Sequence, residues 1–201
     1  VNADIYLDEM DLSRYWPEDA PLSFDRAMRD IAAGKSTLKD YPFLSPRLVK
    51  AYELVTGMKG LLPDVPMLTV PRPVAAEVIP LNSPGRDSPV LVTGNNEYTV
   101  SVLTAVWAHG STPAHLLVLD CRGNTVDMAV VLGDFTGERL RQALDRHRVE
   151  DSVNHRHLII PGWAARLADS FRECTGWEIE SGPVCAAELP LALGDRWVFS
   201  T

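Results

Sequence analysis

From Val90 onward the chain alternates short, continuous apolar runs with amphipathic stretches. Val90-Leu91-Val92-Thr93, His115-Leu116-Leu117-Val118-Leu119-Asp120 and His157-Leu158-Ile159-Ile160 are such runs. A strand covered on both faces shows an unbroken apolar run instead of an alternation, so each reads as a buried parallel strand. Trp177-Glu178-Ile179 is a fourth, shorter candidate. Between the runs, Glu97 to His109, Thr136 to about His147 and Trp163 to Cys174 read as helices, the second with Leu140, Ala143 and Leu144 inward. Strand alternating with helix predicts an α/β fold, a Rossmann-like, doubly wound and mostly parallel sheet.

Upstream the pattern changes. Ser23 is placed to cap a helix in which Phe24, Ala27, Met28 and Ile31 share one face, and Gly34 can end it. A second helix is expected from Pro46 to about Met58, with Leu48, Val49, Tyr52 and Val55 as its stripe. The first 22 residues mix Asp4, Asp8, Glu9 and Asp11 with Tyr6, Tyr15 and Trp16. They read either as an arm packed through its aromatics or as a partly ordered tail. Pro63, Pro66, Pro71, Pro73, Pro80, Pro84 and Pro89 crowd the next stretch. Proline lacks the N–H that a helix or central strand needs, so this is an extended connector with edge strands at best. Leu81 to Ser88 reads as a turn. The expected organisation is a helical and extended amino-terminal appendage over residues 1–87 and the Rossmann-like domain over residues 88–201.

Composition narrows the function. Hydrophobic residues make up 46% of the 201 residues, enough for a real core. A net charge of −8, from 19 basic and 27 acidic residues, excludes a nucleic-acid surface, which needs clustered cations. Three cysteines and no CxxC predict neither a disulfide framework nor a zinc or iron-sulfur site. With no membrane-length apolar run and no signal-peptide pattern, the expected setting is cytoplasmic, away from membranes.

Ligands of doubly wound sheets bind beyond the carboxyl ends of the strands. Here those ends carry Gly94-Asn95, Asp120-Cys121-Arg122-Gly123, Pro161-Gly162 and Gly182-Pro183. Such small, turn-forming residues let several backbones approach a large flat ligand. Thr93-Gly94-Asn95-Asn96 holds one glycine, so it is no dinucleotide fingerprint, and neither a P-loop nor HExxH occurs. His155 and His157 could converge on a metal, but with no third ligand evident they read as solvent-facing residues at a strand entry. No catalytic or metal-ligating residue is expected. Asp120 reads as the cap of its own turn in preference to a catalytic acid or ribose ligand. Cys121 and Cys185 read as small buried side chains in preference to reactive thiols. Trp107, Trp163 and Trp177 read as core anchors in preference to stacking platforms.

The strand and loop pieces resemble one family. Ser88-Pro89-Val90-Leu91-Val92-Thr93-Gly94-Asn95 resembles the S-P-V-L-V-T-T-N opening of the carboxy-terminal domain of the corrinoid iron-sulfur protein large (gamma) subunit, of the acetyl-CoA synthase/decarbonylase system. Leu116 to Gly123 resembles its L-L-V-x-D-T-E-G, and Gly133-Asp134-Phe135-Thr136-Gly137-Glu138 its G-K-F-T-G-E. Asn154 to Gly162 is similar to S-H-R-K-L-I-I-P-G. Gly176-Trp177-Glu178, Gly182-Pro183, Ala186 and Leu189-Pro190 match the last strand and loop. The pieces keep their order and spacing from about Ser88 to Leu193. The mercury-methylating corrinoid protein is a more distant resemblance. Asn96-Glu97-Tyr98-Thr99 departs from the family's F-x-L-T, Asp134 stands where the family has lysine, and residues 1–87 resemble neither its iron-sulfur module nor its TIM barrel.

The resemblance implies cobalamin or a related corrinoid, held base-off, with its nucleotide tail in the Rossmann-like domain. The implied contacts come from Thr93, Gly94 and Asn95, from the cap segment Gly123, Asn124, Thr125, Val126, Met128 and Ala129, and from Gly133 and Phe135. Pro161, Gly162, Gly182, Pro183 and Ala186 complete the implied set. Met128 falls where the corrinoid iron-sulfur protein has a threonine near the lower cobalt face and the mercury methylator a cysteine; it offers a thioether or an apolar shield. The implied role is a methyl-carrying component of one-carbon metabolism, not a stand-alone enzyme. It would work with a methyltransferase or TIM-barrel partner subunit and a separate iron-sulfur reductant. The alternatives are a non-catalytic B12 storage, delivery or assembly factor, and an interaction domain that has lost the cofactor.

Overall fold

The computed structural model describes residues 10–63 and 70–200. Asp4, Tyr6, Asp8 and Glu9 of the arm and Pro66 of the connector lie outside them. The three long apolar runs become strands β2 (Val90–Gly94), β3 (Ala114–Leu119) and β4 (His157–Ile160), and the shorter one becomes β5 (Glu178–Ser181). Every residue of β2 and β3 is buried. Each fully buried Val, Leu or Ile contributes roughly 1.5–3 kcal/mol, which is why these runs take the centre of the sheet.

These strands lie in the order β3-β2-β4-β5, all parallel. Leu91 sits opposite Leu116 on one side and Ile159 on the other. β1 (Val78–Leu81) adds an antiparallel edge beyond β3. The sheet thus reaches back to Val78, upstream of the boundary expected at residue 88. Pro80 is tolerated there because an edge strand keeps one side free of the ladder. The chain winds outward from β2 to β3, then crosses back to β4. Between β2 and β4 the winding direction reverses, which makes the switch point of this α/β sheet.

Helices cover both faces. Val90, Val92, Leu117, Leu119, Leu158 and Ile160 face a layer with α4 (Val126–Leu132), α5 (Gly137–Arg146), α6 (Val149–Ser152) and α7 (Ala168–Thr175). Leu91, Leu116, Val118 and Ile159 alternate with them and face α3 (Glu97–Trp107). Asn96 caps α3 by accepting from the Tyr98 and Thr99 amides, and Thr136 caps α5 by accepting from Arg139. The stretch expected as one helix from Trp163 to Cys174 divides into a 3₁₀ helix, Gly162–Leu167, and α7.

The appendage carries α1 (Phe24–Ala32) and α2 (Pro46–Gly57), the latter capped by Ser45. Ser23 holds the N-cap position of α1 but makes no side-chain cap. Trp16 lies edge-on to Phe24, Tyr41, Phe43 and Tyr52. Leu191 of α8 (Leu189–Ala192) joins this cluster, and the Tyr15 hydroxyl donates to the buried Glu188 carboxylate at 2.9 Å. Burial pushes the Glu188 carboxyl upward, with the Tyr15 hydrogen bond opposing in part, and burial together with the Glu188 charge pushes the Tyr15 hydroxyl upward. The described part of the arm is therefore packed through its aromatics. The tail, for which the sequence carries no expectation, returns to bury Trp197 against Trp107. No helix among the described residues is long and apolar enough to cross a membrane.

Candidate functional site

A cavity of about 270 Å³ opens at the carboxyl ends of β2, β4 and β5, at the switch point. Its floor is Leu91, Leu116 and Ile159 from the sheet, and its outer wall is Tyr98, Thr99, Val102 and Leu103 of α3. Thr93 at the end of β2, Pro161 after β4, and Gly182, Pro183 and Ala186 after β5 form the inner rim. Thr125 and Val126 at the start of α4 close another side. The last two strands are zipped together there: Gly182 N–H donates to Ile160 O at 2.8 Å and Gly162 N–H to Pro183 O at 3.0 Å.

The slot is mostly apolar, and one polar atom in it stands out. Thr93 is 1% exposed, and its Oγ1 is buried with no hydrogen-bond partner among the described residues. Burying a hydroxyl unpaired costs roughly 1–3 kcal/mol, so a group from outside the chain that pairs it gains that much back. Two large apolar side chains stay exposed around the mouth: Trp163 at 48% and Val184 at 40%. Ligand pockets commonly run to roughly 300–1,000 Å³. At about 270 Å³ this slot falls just below that range.

Seven of the residues expected to hold a cofactor line the slot: Thr93, Thr125, Val126, Pro161, Gly182, Pro183 and Ala186. The others do not, and at the ends of β2 and β3 the reason is the connector. Arg72, Pro73 and Val74 run across the ends of β2 and β3: Arg72 N–H donates to Gly123 O, Val74 N–H to Asn95 O, and Glu97 N–H to Arg72 O. The half of the rim expected to receive a ligand at Gly94, Asn95 and Gly123 is filled by the chain itself. Asn95 is a strut whose side-chain carbonyl accepts from Cys121 N at 2.7 Å and Gly123 N at 3.0 Å. Gly94 packs against Cys121, and Asn124 closes the turn by donating back to Cys121 O. Ala129 and Phe135 are core residues beneath α4, Phe135 tilted against Phe171. Gly162 packs against the Pro183–Val184 peptide, and Gly133 is the left-handed cap of α4. Met128 is exposed on α4, one residue beyond Asp127 of the slot.

Two of these glycines separate close approach from backbone conformation. Both have positive φ, +75° at Gly123 and +73° at Gly133. A Cβ on Gly123 would lie 2.4 Å from Pro73 N, whereas at Gly133 it would meet nothing. Gly133→Ala is expected to cost only the left-handed term, about 1–2 kcal/mol. Gly123→Ala adds an overpacking cost of about 1–3 kcal/mol and displaces the strap. Urea unfolding of the two variants measures the difference; equal losses would mean that the strap gives way freely.

The remaining candidates resolve as packing or pairing. Asp120 Oδ1 accepts from Arg122 N at 3.0 Å, capping its turn. Cys121 is fully buried, and burial pushes its thiol up to about 12, with Arg139 opposing only in part. It is a protonated core side chain. Asp134, placed where the resembled family has lysine, is buried and paired with Arg139 at 3.0 Å and Arg122 at 3.2 Å. The reversed charge is thus neutralised locally. His157 lies 3.2 Å from Glu180, and His155 contacts Ser88 O. No group of three or more His, Cys, Asp or Glu that could hold a metal occurs among the described residues. Trp107 and Trp177 are core anchors, but Trp163 is not. The 3₁₀ start of its helix turns Ala164 inward and leaves the indole on the rim of the slot. Sequence reasoning missed the α3 wall; the apolar face of Val102 and Leu103 was its only signal.

A family model described as CO dehydrogenase/acetyl-CoA synthase delta subunit matches residues 63–192. The gamma subunit of the acetyl-CoA decarbonylase/synthase complex of Archaeoglobus fulgidus is 35% identical over 117 residues, 58% of this chain and 25% of that protein. Its counterpart in Methanopyrus kandleri is 35% identical over 120 residues, 60% of this chain and 26% of that one. That of Methanocaldococcus jannaschii is 28% identical over 127 residues, 63% and 26% respectively. The chain spans about a quarter of the length of these curated relatives.

Proposed function

Because the chain belongs to the CO dehydrogenase/acetyl-CoA synthase delta subunit family, we propose that it binds a corrinoid whose nucleotide tail enters the slot between the sheet and α3. The observation that carries this reading is the apolar cavity at the switch point with the unpartnered Thr93 hydroxyl inside it. The residues fit such a group. The slot accepts a planar base, and Met128, Trp163 and Val184 offer apolar surface to a flat ring outside. Cofactor contacts are accordingly assigned to Thr93, Thr125, Val126, Pro161, Gly182, Pro183 and Ala186, with Met128 towards the ring.

With a corrinoid bound, the slot residues would hold its base, and the cofactor would be taken up base-off. When bound, a corrinoid supplies a cobalt centre able to accept and release a methyl group. The chain's own residues bind and orient: the β4 and β5 loops hold one edge of the tail, the α3 wall excludes water from the base, and α4 presents Met128. Their chemistry fits a carrier of one-carbon units in the acetyl-CoA pathway, acting with a methyltransferase or other subunit and an iron-sulfur reductant. The gamma-subunit names of its relatives support that assignment.

Titration of the apo-protein with cobalamin tests the reading. The expected result is saturable binding with a base-off absorption spectrum. A spectrum indistinguishable from free cobalamin at every protein concentration would end it. A methyl-transfer assay on the reduced, loaded protein then separates a methyl carrier from a storage or delivery factor.

A further inference from the structure

We propose that Thr93 selects the lower base of the bound corrinoid, favouring a heteroaromatic base with a free ring nitrogen over a base without one. The inference rests on the corrinoid reading and adds a specificity to it. Thr93 ends β2 on the same face as Leu91, the face packed against α3, so its side chain belongs to the slot wall. Every other slot residue drawn from the sheet strands is apolar or glycine: Leu91, Val92, Leu116, Ile159 and Ile160, with Gly182 just beyond β5. Thr93 therefore supplies the only side-chain hydrogen-bonding group on that wall among the described residues, and its Oγ1 has no partner there.

A β-strand position with this burial is ordinarily filled by valine, which is isosteric and carries no penalty. Keeping an unpaired hydroxyl there makes sense if a ligand atom completes it. The hydroxyl donates to an unprotonated ring nitrogen lying in the plane of the base. A base held off the metal has that nitrogen free. A phenolic base has a comparable ring but no such acceptor, and leaves the hydroxyl unpaired even when bound.

The test compares Thr93→Val and Thr93→Ser with the parent chain, titrating each with cobalamin and with a phenolyl cobamide, followed by absorption. The cost of releasing the base from cobalt is the same for each protein and cancels in the ratios. Thr93→Val is expected to weaken cobalamin binding about tenfold and to leave the phenolyl cobamide unchanged, while Thr93→Ser keeps the parental ratio. In the ligand-free state, Thr93→Val should raise the melting temperature by roughly 2–4 °C, because it removes an unpaired buried hydroxyl. Equal losses for both corrinoids, no loss for either, or a lowered apo melting temperature would each overturn the role of Thr93. Failure of the parent chain to bind either corrinoid would overturn the corrinoid reading itself.

Discussion

Asn95→Ala is expected to destabilise the protein by about 3–5 kcal/mol, the largest single-site loss outside the apolar core. The side chain is 3% exposed and sits where three segments meet. Its carbonyl accepts from the Cys121 and Gly123 amides, and its amide donates to Val74 O at 3.1 Å and to Asp120 Oδ1 at 3.3 Å. Alanine leaves two backbone donors and one backbone acceptor without this partner, in a place water does not reach. Each unsatisfied buried group costs roughly 1–3 kcal/mol, so the sum exceeds a typical surface substitution several times over. Asn95→Asp keeps the acceptor but loses the donor and sets a second carboxylate beside Asp120, so it is expected to fall between alanine and the parent chain. Denaturant unfolding monitored by far-ultraviolet circular dichroism measures both. A loss under about 1 kcal/mol for alanine would show that the strap and the β3 turn hold without the strut.

That residue also shows where sequence reading reaches its limit. The strands were legible because their signal is local: three apolar residues in a row, such as those opening β2, have few other places to go. The helix starts expected at Pro46 and Glu97 were met, where Ser45 and Asn96 act on amides two or three residues away, whereas Ser23, the cap expected from the sequence, makes no such bond. Asn95 carries no such local mark. It looks like any small polar residue at a strand end, and its role depends on Val74 and Gly123, which arrive from distant parts of the chain. Glycine at 123 is similarly double-edged. It does signal close approach, but the approaching group is Pro73 and not a ligand. The switch-point half of the site was legible because ligands of parallel sheets bind beyond the carboxyl ends of the strands, and Pro161, Gly182 and Pro183 follow the runs read as strands. Trp163 was misjudged because the 3₁₀ winding that turns it outward depends on Gly162 packing against Val184.

Filling the slot should separate binding from folding most sharply. Leu103 lies on α3, partly buried, and lines the wall opposite the sheet. Leu103→Trp carries a two-ring side chain into a space of about 270 Å³. An aromatic side chain of that size buries roughly 150–250 Å², and a corrinoid base excluded from the same slot forfeits a comparable area, about 4–6 kcal/mol at 25 cal/mol per Å². Ordering and desolvation costs reduce the net effect, so cobalamin affinity is expected to fall at least about a hundredfold, or about 2.7 kcal/mol. The folded state loses little, because the indole occupies space that was empty before and gains dispersion contacts there. Cobinamide, which lacks the nucleotide tail, supplies the control: its affinity should be the same for Leu103→Trp and the parent chain, since its ring stays at the mouth. Cobalamin binding that survives in a variant with an unchanged melting temperature would put the base outside the slot. The cavity beside α3 would then be a packing defect, and the exposed apolar mouth would have to be explained by another partner.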